Sequence, residues 1–282
     1  MAVRATGSET DVPLSDRDFL RIAELVHTLA GIVLAEAKRP LVQSRLIKRL
    51  RVLHLPDFAA YANFISDPGN TSERLELISA VTTNVTSFFR EQHHFETLTK
   101  IALPPLMAKA QAGARVRIWS AGCSSGEEPY SIAASLLSVS PDVQRYDVRI
   151  LATDIDRTMI ERTRRGVYPR DVALGMAPEL ARRLFAESKP GEPLHVSEKV
   201  KRLVTCNALN LQDSWPMKGP FDVIFCRNVV IYFDKPTQER LWQRFSDLLA
   251  PEGFLMIGHS ERITGAALSE FRTEGMTTYR RR

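Results

Sequence analysis

The stretch from Val116 to Ser131 reads VRIWSAGCSSGEEPYS and decides the fold of this chain. Its first four residues, Val116 to Trp119, are mostly apolar and β-branched, as in a buried parallel strand. A loop of small residues, Ser120 to Gly126, follows, and Pro129 suits the first turn of a helix. The stretch therefore predicts the first strand–loop–helix unit of an α/β domain. A loop of small residues at the start of a helix also lets a ligand approach the backbone closely.

Two acids, Glu127 and Glu128, end this loop. They disfavour a triphosphate and favour a ligand that presents a cation or hydroxyl groups, although the loop alone equally fits an ordinary turn. A second strand, Val148 to Ala152, leads to Asp154, at the position where a carboxylate accepts hydrogen bonds from both hydroxyls of a ribose. Acids also cap helices, but the loop and Asp154 together predict a nucleoside ligand.

The bulk composition is that of a soluble globular protein, with 282 residues, of which 44% are hydrophobic and 25% charged. No apolar run is long enough to span a bilayer, and residues 1–15 lack the apolar core of a signal peptide. We therefore expect a cytoplasmic protein with a disordered lead-in over residues 1–15. The net charge of +5 is compatible with an acidic protein partner or with nucleic acid.

Residues 16–81 predict a small all-helical domain, which begins at a capping pair formed by Ser15 and Asp18. A second helix, from about Pro40 to Leu53, has one apolar face. Its other side carries four basic residues, namely Arg45, Lys48, Arg49 and Arg51. No acid occurs from Ala37 to Pro56. The basic run fits a solvated face and, equally, a docking surface for an acidic partner.

A polar stretch, TTNVTSFFRE at residues 82–91, follows this domain. Its hydroxyl and amide side chains suit hydrogen bonds to a ligand or to neighbouring backbone, although a plain linker needs no function. We interpret residues 82–108 as a linker that contains this stretch, ahead of an α/β domain over residues 109–282. The adjacent His93 and His94 point in different directions on a helix, so we expect no metal site.

The α/β alternation continues to the end of the chain. The segment from about residue 167 to residue 202 is irregular, and we interpret it as an insertion. Leu194 to Val204 have a strand-like composition. Phe221 to Cys226 reads as a further buried strand. The polar Arg227 and Asn228 follow it, at the edge where open α/β sheets bind ligands.

Five stretches occur in one order, namely TTNVTSFFRE, WSAGCSSGEEPYS, ATDID, FDVIFCRNVVIYFD and GHSE. Together they resemble the CheR family, the bacterial chemotaxis receptor methyltransferases, over nearly the whole chain. The resemblance implies a doubly wound, seven-stranded class I methyltransferase sheet that binds S-adenosylmethionine. It also implies a small N-terminal all-helical domain, a small β-subdomain insertion, and methyl transfer to glutamate carboxylates on the cytoplasmic helices of chemoreceptors.

The resemblance further assigns roles to single residues. The cofactor would contact Asn84, Thr86, Arg90, Glu128, Asp154, Asn210, Leu211, Arg227 and Asn228. Within this set, Asp154 would hold the ribose and Glu128 the methionine or adenosine portion. Arg90, Asn228 and Tyr232 would act at the reacting end, and the basic helix matches the receptor-docking helix of the family.

Some family members also bind a peptide tether at the receptor C-terminus through a glycine-rich loop of the β-subdomain. The corresponding residues here, Ala186 to Pro193, contain only Gly191, so the sequence leaves tether binding open.

The proposed acceptor is a glutamate carboxylate, which is ionised at pH 7 and needs no general base. Catalysis would then depend on positioning and on the removal of water.

A nucleic-acid methyltransferase is an alternative, but the basic run lacks interleaved aromatic residues for base stacking. A non-catalytic adaptor that senses the cofactor would need a damaged pocket, whereas every expected polar residue is present. We expect a monomer that neither binds nucleic acid nor inserts into a membrane.

Overall fold

The computed structural model describes residues 12–282, and the chain divides into two compact units after Thr82. Residues 1–11 of the expected lead-in lie outside the described residues. For residues 12–15 the expectation of disorder is wrong, because the Leu14 side chain is buried and Ser15 caps the first helix. Within residues 12–282, no helix combines the length and the apolar character that a membrane span requires.

In its described part, residues 12–82, the first unit contains four α-helices. They are α1 (Asp16–Ala30), α2 (Arg39–Val52), α3 (Phe58–Ser66) and α4 (Thr71–Val81). The Asp18 N–H donates to the Ser15 hydroxyl oxygen at 3.1 Å, which confirms the predicted cap. In α2, Val42, Leu46 and Leu50 recur at helical spacing and are buried, so this helix is held by a single apolar face.

The second unit, residues 83–282, alternates strands and helices. Its strands are β1 (Val116–Ala121), β2 (Val148–Asp154), β3 (Val167–Tyr168), β4 (Leu194–His195), β5 (Val204–Ala208), β6 (Phe221–Cys226), β7 (Leu249–Ile257), β8 (Phe271–Gly275) and β9 (Thr278–Arg281). Its helices are α5 (Gln92–Thr97), α6 (Leu103–Gln111), α7 (Glu127–Val139), α8 (Arg157–Arg165), α9 (Pro178–Leu184), α10 (Glu198–Lys201) and α11 (Lys235–Leu248).

Seven strands form one sheet in the order β5-β2-β1-β6-β7-β9-β8, which confirms the predicted seven-stranded α/β fold. The first five strands in this order are parallel, and β9 and β8 are antiparallel to their neighbours. The chain runs from β1 outward to β2 and β5 and then returns to β6 on the other side of β1. This reversal puts the topological switch point, where open α/β sheets bind ligands, at the carboxyl ends of β1 and β6.

Residues 92–108 belong to the core of the second unit, so the expectation of a linker is wrong for them. Together with residues 109–111 they form α5, a π-helical turn over Leu98–Ala102, and α6. Leu98 and Leu103 are fully buried in the same hydrophobic cluster as Val116 and Ile118 of β1. Their apolar side chains recur at helical spacing, which suits a helix packed on the sheet rather than a connection.

The insertion contains a separate two-stranded sheet, in which β3 and β4 pair antiparallel through two residues each. The expectation of a continuous strand-like segment from Leu194 to Val204 is wrong at α10, which separates β4 from β5. One helical turn buries Val200 and leaves Glu198 and Lys199 exposed, and an alternating strand pattern cannot reproduce this burial.

Candidate functional site

The carboxyl ends of β1 and β2 are joined through main-chain groups. The Gly122 N–H donates to the Thr153 carbonyl at 2.8 Å. The Asp154 side chain accepts from the Ser124 N–H at 2.8 Å through Oδ2 and from the Asp156 N–H at 2.9 Å through Oδ1. The backbone therefore fixes this carboxylate at the end of β2, where the sequence predicts a diol-binding acid.

Asp154 is only 7% exposed. Burial raises the pKa of its carboxyl group to about 6, against the opposite effect of its N–H donors. Each carboxylate oxygen has two lone pairs, and each accepts one main-chain hydrogen bond here. The ionised side chain therefore keeps the capacity to accept from ligand hydroxyls.

The glycine loop after β1 approaches the loop after β6 very closely. Gly122 has a φ of +88°, and a Cβ atom on it would lie 2.3 Å from Val229 Cγ2. Gly126 has a φ of +101°, and a Cβ atom there would lie 2.8 Å from the Tyr168 hydroxyl. Only glycine combines a positive φ with the absence of a Cβ atom. The close approach of the loops at the carboxyl edge of the sheet therefore requires glycine at positions 122 and 126.

Glu128 and Arg227 form a buried ion pair, with Arg227 Nε 2.7 Å from Glu128 Oε2 and side chains 2% and 8% exposed for arginine and glutamate. Ser120 donates to the second Glu128 oxygen at 2.7 Å. Arg227 Nη1 also donates to the Arg90 carbonyl. The buried guanidinium thus links Glu128 to the Arg90 main chain. A direct contact between Arg227 and a cofactor stays a prediction.

The polar stretch at residues 82–91 reaches this edge. Asn84 Nδ2 donates to Asp156 Oδ2 at 2.8 Å, and the Ser124 hydroxyl donates to the Asn84 carbonyl at 2.9 Å. Thr86 is half-buried two residues later. The structure therefore brings Asn84, for which the family resemblance implies a cofactor contact, next to the loop whose Ser124 N–H binds Asp154.

Arg90 follows in a strained turn. Its Nη1 donates to the Val85 carbonyl at 2.9 Å, while its own carbonyl accepts from Arg227. Phe89 and Glu91, on either side, have φ values of +53° and +57°. Left-handed conformations at two non-glycine residues are uncommon and cluster at functional sites, which agrees with a role for Arg90 at the reacting end.

The turn after β5 lies beside the end of β2, because the Leu209 N–H donates to the Asp154 carbonyl at 2.9 Å. Asn210 Oδ1 accepts from the Gln212 N–H at 3.0 Å, which closes this turn. Leu211 is 7% exposed. Asn210 and Leu211 therefore lie next to Asp154, on the side where the family resemblance expects the adenine.

Asn228 and Tyr232 lie in the loop after β6. Asn228 is half-buried and has a φ of +60°, and Tyr232 ends a 3₁₀ turn over Val230–Tyr232 and is also half-buried. This loop begins at the switch point of the sheet, opposite the glycine loop after β1. Both residues thus reach the edge that carries Asp154 and Glu128.

Comparison with known proteins agrees with this geometry. The family model for the "CheR methyltransferase, SAM binding domain" matches residues 84–280, and that for the "CheR methyltransferase, all-alpha domain" matches residues 17–82. The chain belongs to the CheR methyltransferase family. This membership confirms the resemblance carried by the five sequence stretches, together with S-adenosylmethionine as the cofactor.

Curated relatives resemble this CheR chain over nearly their full lengths. A "Probable chemotaxis protein methyltransferase" of Rhizobium etli is 49% identical over 91% of this chain and 96% of its own length. A "Chemotaxis protein methyltransferase" of Salmonella typhimurium is 42% identical, with 94% and 90% covered. The "Chemotaxis protein methyltransferase 2" of Pseudomonas aeruginosa is also 42% identical, with 93% and 92% covered.

The donor set at the carboxyl edge suits the cofactor of the CheR family. Asp154 and Glu128 are carboxylates that are each less than a tenth exposed, and they follow neighbouring parallel strands. Buried carboxylates favour ligands with hydroxyl groups and positive charge, and S-adenosylmethionine carries a ribose diol, an ammonium group and a sulfonium. The acids that disfavour a triphosphate in the sequence are therefore the groups that fit this ligand.

The two histidines of α5 do not point apart, so the reason given for excluding a metal is wrong. Their ring centroids are 4.1 Å apart. His94 Nε2 lies 3.0 Å and His93 Nε2 lies 3.5 Å from the Thr277 hydroxyl oxygen. With Glu91 they place three possible ligand atoms within 4.8 Å of one another.

Arg227 opposes a metal ion at this cluster. Its Nη1 lies 3.5 Å from His94 Nδ1 and 3.9 Å from Glu91 Oε2. A fixed guanidinium at this distance repels a second cation strongly in a buried environment. Burial and this same guanidinium lower the pKa of His94 to about 3, so the imidazole is neutral near pH 7. The expectation that no metal binds stays a prediction, and its reason is now the charge of Arg227 next to the cluster.

Two of the four basic residues of α2 are used inside the helical unit. Arg45 Nη1 donates to the Ala80 carbonyl at 3.0 Å. Arg49 forms two hydrogen bonds to Glu73, at 2.6 and 3.0 Å, and the Tyr61 hydroxyl donates to the same carboxylate at 2.9 Å. Glu73 is 5% exposed, so Arg49 compensates a buried charge.

Lys48 and Arg51 are exposed. The expectation that all four basic side chains project outward is therefore wrong for Arg45 and Arg49. The sequence shows no acid along α2, but α4 supplies Glu73 from 24 residues away. Only contact between helices reveals which basic residues remain at the surface.

Glu261 contacts the loop after β6, and sequence reasoning assigns it no role. It lies in the GHSE stretch that contributes to the family resemblance, and it is 4% exposed. Its partners are main-chain N–H groups about 30 residues earlier, which no side-chain pattern reveals. The available signal is an acid three residues after a glycine at the carboxyl end of a buried strand.

Proposed function

We propose that this chain transfers the methyl group of S-adenosylmethionine to glutamate side chains of chemoreceptors and produces glutamate methyl esters in the cytoplasm. The observation that carries the proposal is the convergence of Asp154, Glu128, Arg90 and Asn228 at the switch point of a methyltransferase sheet. Its relatives' names as chemotaxis protein methyltransferases support the choice of acceptor.

The proposed cofactor site uses residues from every segment that reaches this edge. They are Asn84, Thr86, Arg90, Glu128, Asp154, Asn210, Leu211, Arg227 and Asn228. Asp154 accepts from the ribose hydroxyls, and Glu128 attracts the positively charged methionine portion. Arg227 orients the Glu128 carboxylate, because its Nε donates to the carboxylate at 2.7 Å. The bound cofactor supplies a methyl group on a positively charged sulfur.

The chain does not need a proton-transfer residue for this reaction, because the acceptor carboxylate is already ionised at pH 7. His94 agrees with this, since it is fully buried and its pKa is lowered to about 3. Arg90, Asn228 and Tyr232 orient the acceptor carboxylate and exclude water from it. Because opposite charges combine in the reaction, a dry and oriented site favours it.

Receptor recognition is assigned to α2. Lys48 and Arg51 form the exposed part of the basic surface, and Arg45 adds positive charge from a half-buried position. Arg49 is half-buried as well, but its charge is offset by Glu73. This surface suits acidic receptor helices and lacks aromatic side chains for nucleic-acid bases.

The protein acts as a monomer in this proposal. Titration with receptor C-terminal peptides tests whether residues 186–193 add a tether contact.

The test is incubation with methyl-labelled S-adenosylmethionine and either receptor-containing membranes or nucleic acid. The proposal predicts label on the receptor that mild base releases as methanol, which is diagnostic of a carboxyl methyl ester. It also predicts that Arg90→Ala strongly reduces the label. Base-stable label, or label on nucleic acid, would contradict the proposed acceptor, and cofactor binding without any transfer would favour a non-catalytic adaptor.

A further inference from the structure

The GHSE turn, Gly258–Glu261, lies directly after β7 and contacts the loop that follows β6. The Glu261 carboxylate accepts five main-chain N–H groups, from Asn228 at 3.1 Å, Val229 at 3.0 Å, Val230 at 2.8 Å, Ile231 at 3.3 Å and Gly258 at 2.5 Å. Four of these donors are consecutive residues of one loop. A single side chain therefore fixes nearly the whole main chain between Arg227 and Tyr232.

Main-chain donors balance the charge of Glu261, whereas a guanidinium balances that of Glu128. Burial raises the pKa of Glu261, and its N–H donors act in the opposite direction. A buried carboxylate is costly unless its hydrogen bonds are satisfied, so the geometry of the loop and the presence of the carboxylate depend on each other.

The loop needs such an anchor. Asn228 has a φ of +60°, and Ile231 is 46% exposed although it is apolar. The turn also leaves no room for a larger first residue, because a Cβ atom on Gly258 would lie 2.7 Å from the Asn228 nitrogen and 2.9 Å from Glu261 Oε2. Gly258 thus permits the close approach that Glu261 uses.

The same turn reaches the segment that carries Arg90. His259 Nδ1 lies 3.0 Å from Glu91 Oε1, and the His259 N–H donates to the same oxygen at 3.3 Å. Glu91 directly follows Arg90 and has a left-handed φ of +57°. One four-residue turn therefore touches both segments that present the proposed reacting-end residues.

We propose that the turn Gly258–Glu261 is a positioning element for methyl transfer. Glu261 holds the loop that presents Asn228 and Tyr232, and His259 holds the segment that presents Arg90. Neither side chain contacts the reacting atoms in this assignment. The kinetic consequences rest on the proposed function, whereas the anchoring itself does not.

The decisive variant is Glu261→Gln, which keeps the side-chain shape but points an amide NH₂ group at main-chain donors. A positioning role predicts that kcat for receptor methylation falls about 20- to 100-fold, while the cofactor Kd and the receptor KM stay within about threefold. His259→Ala, at a side chain 62% exposed, should lower kcat by a smaller factor.

Asp222→Asn is the matched control. Asp222 is a partly buried acid at the opposite end of β6, where Oδ2 accepts a main-chain N–H from Arg117 at 2.8 Å, and burial raises its pKa as well. This variant should lose stability yet keep its kcat. An equal loss of kcat in Asp222→Asn, or a kcat within about threefold of wild type in Glu261→Gln, would overturn the proposal.

Amide hydrogen exchange tests the anchor without any activity assay. The amides of residues 228–231 should exchange slowly in the wild-type protein, as slowly as strand amides, because Glu261 accepts all four. In Glu261→Gln, the exchange rates of these four amides should rise, while those of strand amides should not change. Fast exchange in the wild-type protein would overturn the anchor even if the variant fails to fold. A wild-type protein with slow exchange and no methylation would instead contradict only the proposed function.

Discussion

Two buried arginine–glutamate pairs in this chain have nearly the same geometry. In the helical unit, Arg49 and Glu73 are 2.6 Å apart, with Glu73 5% exposed. In the methyltransferase unit, Arg227 and Glu128 are 2.7 Å apart, with Glu128 8% exposed. A hydroxyl group from a third residue donates to each glutamate.

The two pairs differ in what surrounds them. Glu73 joins helices of one bundle, whereas Glu128 lies in the first turn of α7, at the switch point of the sheet. Arg227 additionally donates to the Arg90 carbonyl and approaches His94. A buried ion pair alone therefore does not identify a functional site. The position of the Arg227–Glu128 pair at the carboxyl edge of the sheet, among segments with left-handed residues, is what supports the cofactor site proposed there.

Removal of either arginine should have the largest effect on stability. Arg227→Ala leaves Glu128 buried without its cation, and we expect the free energy of unfolding to fall by about 3–5 kcal/mol, with loss of methyl transfer. Arg49→Ala should cost less, since the Arg49 side chain is 21% exposed, and should retain kcat. Denaturant unfolding and receptor methylation measure both. Loss of kcat in Arg49→Ala would place the helical pair in the active site.

Replacement of both partners by methionine separates stability from activity. A hydrophobic pair of similar volume often restores the stability lost on breaking a buried ion pair. The Arg49→Met, Glu73→Met protein should therefore unfold near the wild-type midpoint and methylate receptors. The Arg227→Met, Glu128→Met protein should regain stability but remain inactive. Methylation by the second protein would show that Glu128 is structural, like Glu73.

The pKa of Asp154 predicts the pH dependence of cofactor binding. With a pKa of about 6, Asp154 should accept ribose hydroxyls fully at pH 7.5, and affinity should be about tenfold lower at pH 5. Because the folded state raises this pKa, protonation of Asp154 near pH 6 does not itself destabilise the fold. Asp154→Asn should bind more weakly and show no such pH dependence. A parallel decline in this variant would assign the titration to another group.

The smallest effect is expected on the surface of α2. Lys48→Glu should raise the receptor KM about threefold and reduce its salt dependence, because exposed charges act over roughly 8 Å at physiological ionic strength. Arg51→Glu should do the same. Arg17→Glu, an equal charge change at an exposed residue of α1, is the control. Equal KM values for Lys48→Glu and Arg17→Glu would reduce the basic run to a solvated face.

The candidate site at the carboxyl edge could be predicted from the sequence, because parallel strands end at one edge of a sheet. Glu128, Asp154 and Asn228 each follow a readable buried strand, so their convergence could be predicted. The partners of Glu73 and Glu261 could not be predicted, because they are distant in sequence, and in the case of Glu261 they are main-chain groups. Patterns along the chain identify elements and their ends, but they do not reveal which charges the fold compensates.

The most direct test of the account is calorimetric titration of S-adenosylmethionine against Glu128→Gln, Asp154→Asn and Glu73→Gln. Hydrogen bonds to charged groups contribute about 1.5–3 kcal/mol each, so the first two variants should bind at least about tenfold more weakly than wild type. Glu73→Gln, which changes the equivalent glutamate of the structural pair, should bind as wild type does. Wild-type affinity in Glu128→Gln and Asp154→Asn, or an equal loss in Glu73→Gln, would contradict the assignment of the cofactor site to the carboxyl edge of the sheet.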